Sequence, residues 1–215
     1  MTDDRQILIN AMTTEHFVMQ GCVNNAVSEG GSRANMYLGV LSGALVAMGF
    51  ATQAEAIFVP FVATVLPAIF VMGIFTVLRL VDISIDSTKA LIAISRIHRY
   101  YRGLGAEAAE VFDVRMGRWP ETSNTADRLG TLVAHWTSAA SMIAAINALV
   151  GAAGLTLLLH LALERDLLAS IFAGAVAAIA LLFAFHQLQR MRVTEIDRFT
   201  RDVAGIDPDA GGKYR

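Results

Sequence analysis

Two uncharged runs separated by a short break constrain this chain more than any other feature. Ala34 to Ala54 holds no charged residue, Glu55 interrupts, and Ala56 to Leu78 is again uncharged. Each run is about 20 residues, the length a helix needs to cross a hydrocarbon core of roughly 30 Å. The break Ala51-Thr52-Gln53-Ala54-Glu55 is too short for a domain linker and suits a hairpin turn. The expectation is a membrane hairpin, so every other segment is read as inside, outside or across a bilayer. Composition agrees, with 55% hydrophobic and 17% charged residues, where soluble domains carry about 25% charged.

A second apolar block follows the polar middle of the chain. Gly130 to Leu159 is uncharged and longer than one crossing needs, and Leu167 to about Phe185 supplies another span. Between them, His160 to Asp166 reads as a short loop. The expected fold is all-α: four transmembrane helices as two hairpins, with amphipathic cytosolic helical extensions. The segments are a cytosolic N-terminal helix (1–33), hairpin 1 (34–78), a cytosolic helical region (79–129), hairpin 2 (130–186), and a cytosolic helix with a disordered tail (187–215). Residues 1–33 show no signal-peptide pattern, so insertion is expected to rely on the internal spans. Of 17 basic residues only Arg165 lies in a hairpin loop. The positive-inside rule then gives an N-in, C-in topology.

Local signals refine each span. Thr13 or Thr14 is expected to cap a helix through Glu15–Val27, and Gly30-Gly31 to break or weaken it. In the first span Gly39, Gly43 and Ala47 recur every four residues, the spacing that lets helix backbones approach closely in lipid. In the second, Pro67 is interior and is expected to kink the helix, either as a static kink or as the candidate hinge, with Thr64 placed to satisfy the carbonyl it frees. In the third, Ser141 and Asn147, with Thr137, either bond between helices or line a pore; Gly151 and Gly154 mark its far end. Ala173/Ala177 and Gly174/Ala178 give the fourth span small-residue pairs.

The middle region opens with an amphipathic helix. Ile83, Ala90, Ile94, Ile97 and Tyr101 share a face, and most charges lie off it. Gly103 and Gly105 end it, and a short turn follows near Glu107–Phe112. Arg96, Arg99, Arg102, Arg115 and Arg118 with Trp119 are the candidate contacts for an anionic cytosolic ligand. They are equally able to meet lipid or a protein partner.

Catalysis has no support. Nucleophile, phosphate-loop and dinucleotide motifs are absent, and the five histidines are scattered, so neither a metal site nor a cofactor is expected. Cys22, the only cysteine, allows no intrachain disulfide. A net charge of −2 argues against a nucleic-acid polymer as partner. No span has a mid-membrane charge, which disfavours a charge-lined pore or proton-coupled transporter within one subunit.

Glu15-His16-Phe17-x-x-Gln20, then Ser28-Glu29-x-x-x-Arg33-Ala34-x-x-Tyr37-Leu38-Gly39-x-x-Ser42, resembles a group of small four-span bacterial membrane proteins common in actinobacteria. The element Arg99-Tyr100-Tyr101 closing the basic helix is similar as well. That resemblance implies topology alone. A fainter likeness, carried by Arg33-Ala34 before the first span, is to the membrane effectors of cyclic-nucleotide antiphage systems. It implies nucleotide-triggered oligomerisation and membrane damage. The leading expectation is a non-enzymatic, self-associating membrane protein that senses or recruits a cytosolic partner, with an effector form that permeabilises the membrane on a signal. The alternatives are a constitutive oligomeric channel, a lipid-acting membrane enzyme and a structural scaffold.

Overall fold

The computed structural model describes residues 2–111 and 138–205. Among them the chain is helical throughout, in the order α1 (Thr2–Ala51), α2 (Glu55–Arg102), α3 (Ala106–Val111), α4 (Ala139–Leu157), a π turn (Leu158–Ala162) and α5 (Leu167–Gly205). Four of these helices are long and apolar enough to cross a membrane. The all-α fold class holds, with four helices of spanning length among the described residues.

The helices are longer and less interrupted than expected. α1 runs unbroken for 50 residues, roughly 75 Å at 1.5 Å per residue. Gly30-Gly31 does not break it, because about 1 kcal/mol per glycine is small against the hydrogen bonds and packing of a long helix. Thr13 and Thr14 are not caps. They lie inside the helix and their hydroxyls donate to the carbonyls of Ile9 (2.9 Å) and Asn10 (3.1 Å). α2 likewise passes through Pro60 and Pro67 without ending. Thr64 donates to the carbonyls of Pro60 (3.1 Å) and Phe61 (2.9 Å). The carbonyl that loses its partner to Pro67 is that of Ala63, four residues back, so Thr64 does not fill the role expected of it.

The turns are tight. Between α1 and α2, the amides of Thr52, Gln53 and Ala54 donate to the carbonyls of Met48, Phe50 and Ala51. α2 stops at Arg102, where the Gly103 amide donates to the Tyr100 carbonyl (3.0 Å). Gly151 and Gly154 do not end the third span, since helix continues to Ala162. In the loop that follows, Glu164 takes φ 49°. Asp166 then caps α5, its Oδ2 accepting from the amides of Leu168 (3.1 Å) and Ala169 (3.2 Å).

The chain forms two compact units. The first comprises residues 1–29, 82–134 and 192–215; the second comprises residues 30–81 and 135–191. In the first unit, the apolar stripe of α2 is its buried face: Ile83, Ala90, Ile94 and Ile97 are each less than 9% exposed. Its neighbour is the N-terminal half of α1. There the Thr13 and Tyr101 hydroxyls lie 3.1 Å apart, and the rings of His16 and His98 lie 5.3 Å apart. Asp82 pairs with Arg192 at 3.9 Å, tying α2 to the extension of α5. In the second unit the largest fully buried side chains are Tyr37, Ile143, Val77, Asn147 and Ser170. Three of the five are polar, an unusual core for so apolar a segment.

Candidate functional site

The polar core of the second unit is a chain of interhelical hydrogen bonds centred on Asn147. Its side chain is wholly buried. Its Oδ1 accepts from the Tyr37 hydroxyl of α1 at 3.1 Å, and its Nδ2 donates to the Phe70 carbonyl of α2 at 3.2 Å. One amide on α4 thus joins three helices. Gly73 makes this geometry accessible, because a Cβ there would collide with the Asn147 carboxamide. The glycine lets the amide reach across to a carbonyl three residues earlier on α2.

Smaller contacts of the same kind extend the network. The Ser141 hydroxyl on α4 donates to Gln189 Oε1 on α5 at 3.1 Å, with both residues buried. Ser138 caps α4, accepting from the Ser141 amide. Towards the π turn, the Thr156 hydroxyl donates to the Ser170 carbonyl at 3.3 Å. Gly174 faces Thr156 so closely that a Cβ would strike its hydroxyl. His160 Nδ1–H donates to the Arg165 carbonyl at 3.0 Å and closes the loop.

Ser141 and Asn147 are therefore bonded between helices of this chain. Gly39 and Gly43 are exposed, with nothing described within 4 Å of where a Cβ would stand. At these two positions no helix among the described residues packs against the stripe. Pro67 is exposed on α2, less than one helical turn before Phe70. Of the basic candidates, Arg96 and Arg99 are exposed and Arg102 is half-buried at the end of α2, in the first unit. Arg115, Arg118 and Trp119 lie outside the described residues, as does Thr137. No cluster of three or more metal-ligating side chains occurs among the described residues.

Sequence reasoning passed over Tyr37, Gly73 and Gln189. Tyr37 and Asn147 are among the few large hydrogen-bonding side chains within the spans, and lipid leaves such groups no partner but each other or a backbone. That signal could have paired them. The His16–His98 contact was also missed, although His98 is buried beside Ile97 on the apolar side of α2. No family model, curated protein or solved structure matches the chain.

Proposed function

We propose that this is a non-enzymatic, multi-pass protein of the bacterial inner membrane, N-in and C-in, that couples an event in its polar helical unit to its membrane unit. The observation that carries this reading is the continuity of α1 and α2. Both run without a break from residues of the first unit into residues of the second. Residues 2–29 of α1 and 82–102 of α2 belong to the first unit, and the remainder of each is long enough for a hydrocarbon core, which takes about 20 residues. A shift of either helix in one unit therefore bears on the other.

In this reading Arg96, Arg99 and Arg102 meet an anionic ligand, and the Tyr37–Asn147–Phe70 contact holds the resting state. The outward stripe of Gly39 and Gly43, with Ser42 beside it, supports self-association, since close backbone approach at such stripes is what joins helices in lipid. The pairing of Ser141 and Asn147 within the chain counts against a constitutive pore lined by them. The likeness to cyclic-nucleotide effectors makes cyclic nucleotides the first anions to try.

The test is a membrane-potential dye in cells expressing the protein, with and without a panel of cyclic mono- and dinucleotides. Ligand-dependent depolarisation, abolished by Arg96→Glu with Arg99→Glu, is expected. An unchanged potential under every ligand removes the effector reading, and depolarisation without any ligand points to the constitutive channel.

A further inference from the structure

An apolar groove of about 720 Å³ lies in the second unit between α2, α4 with its π turn, and α5. Every residue lining it is Val, Ala, Leu, Pro, Phe or Gly. Small residues hollow it out. Ala63, Ala180 and Ala184 stand exposed at its sides, and Gly154 leaves its floor open below Leu66. Gly151 is packed against Phe70 and Leu181, where a Cβ would sit 2.7 Å and 2.9 Å from their side chains. Every lining position falls inside a stretch long and apolar enough to cross a membrane.

We propose that this groove binds one acyl chain of a bilayer phospholipid, drawn from the leaflet next to the two short loops. The proposal rests on the membrane reading of the four helices. Three observations identify the occupant. The lining offers no side-chain donor, acceptor or charge, so a headgroup or polar cargo finds no partner in it. The groove has the volume of a small-molecule site, about 300–1,000 Å³, so left empty it would forfeit contacts along its whole wall.

Its length also fits. Val150 to Leu161 on α4 and the π turn rises about 16 Å, half of a hydrocarbon core of roughly 30 Å and hence the depth of a single leaflet. The end of the groove marked by Val59 and Leu161 adjoins the turn Thr52–Ala54 and the loop Leu163–Asp166. From there it runs inward to Phe70 and Val150. This is the path of one chain entering from the leaflet beside those loops.

The experiment uses the full chain in phosphatidylcholine vesicles doped with a phosphatidylcholine whose acyl chain carries a diazirine. After illumination, labelled peptides are mapped by mass spectrometry. Label is expected on the groove residues Leu66 and Leu155, which are buried and half-buried, and also on Phe172 and Phe183, which are 72% and 63% exposed and outside the groove.

Ala180→Phe and Ala63→Phe fill the groove from opposite walls. Each is expected to reduce label on Leu66 and Leu155 at least tenfold while leaving Phe172 and Phe183 within twofold. Gly154→Ala keeps the label, because its Cβ stands 3.9 Å from the nearest atom of Leu66. The proposal is overturned if Phe172 is labelled but Leu66 and Leu155 are not, as when a second copy fills the groove. It is equally overturned if both filling variants leave the groove label unchanged. Absence of label everywhere, Phe172 included, sinks the membrane reading itself.

Discussion

Three glycines in the spans carry opposite expectations, and Gly73→Ala is the informative one. A Cβ at Gly73 would overlap Oδ1 and Cγ of Asn147 and stand 2.9 Å from its Nδ2. The amide cannot keep both its bonds and accommodate that atom. Withdrawing it loses the 3.1 Å bond from Tyr37 and the 3.2 Å bond to Phe70. Interhelical hydrogen bonds in membranes contribute about 0.6 kcal/mol each, up to about 1.7, and overpacking adds about 1–3 kcal/mol. Against this stands a helix-propensity gain of about 1 kcal/mol. The net expected is a destabilisation of about 2–3 kcal/mol.

Gly39→Ala and Gly43→Ala meet nothing within 4 Å and are expected to be neutral or slightly stabilising in the monomer. Unfolding equilibria in mixed detergent micelles, followed by helical circular dichroism, measure all three. In an Asn147→Ala background the collision disappears, so Gly73→Ala becomes neutral or slightly stabilising there, a coupling that only contacting residues show. Equal effects of Gly73→Ala and Gly39→Ala, or an unchanged Gly73→Ala penalty without Asn147, would refute the reasoning.

Two further substitutions probe single contacts by the same unfolding measurement. Tyr37→Phe removes only the hydroxyl that donates to Asn147, and a loss of about 0.6–1.7 kcal/mol is expected. A loss beyond about 3 kcal/mol would mean that ring packing rather than the bond is disturbed. Asp166→Ala leaves the amides of Leu168 and Ala169 without their cap and should cost about 0.5–2 kcal/mol, whereas Asp166→Asn should lose little.

The helical character and the four helices of spanning length were legible because long uncharged runs of about 20 residues stand out in the sequence. The buried face of α2 was legible too, since Ile83, Ala90, Ile94 and Ile97 repeat at helical period regardless of what covers them. What they pack against was not legible. The meeting of His16 with His98, and of Thr13 with Tyr101, depends on how two distant stretches align, and periodicity within one stretch holds no such register. Thr13 and Thr14 look like caps in isolation because capping is a local preference, and a long helix overrides it. The glycines show the same limit. Gly39, Gly73 and Gly154 are alike in sequence, yet one faces outward, one receives an amide and one floors a groove. Only the neighbouring helix decides which.

Pro67, Phe70 and Gly73 place the groove and the polar contact on successive faces of one short stretch of α2. The Phe70 ring lies against Gly151 at the groove, while its carbonyl accepts from Asn147. Pro67 lines the same groove and brings no N–H to the Ala63 carbonyl, so α2 is softest just before the residue that serves both features. A bend at Pro67 must therefore move the Phe70 carbonyl relative to Asn147 or carry α4 along with it. The bonds that oppose the first outcome, Tyr37 to Asn147 and Asn147 to Phe70, together amount to about 1–3 kcal/mol. A ligand that binds one conformation about 10- to 100-fold better than another supplies a difference of that size. The polar contact is thus strong enough to define one arrangement of α1, α2 and α4, and weak enough for a binding energy of that size to release.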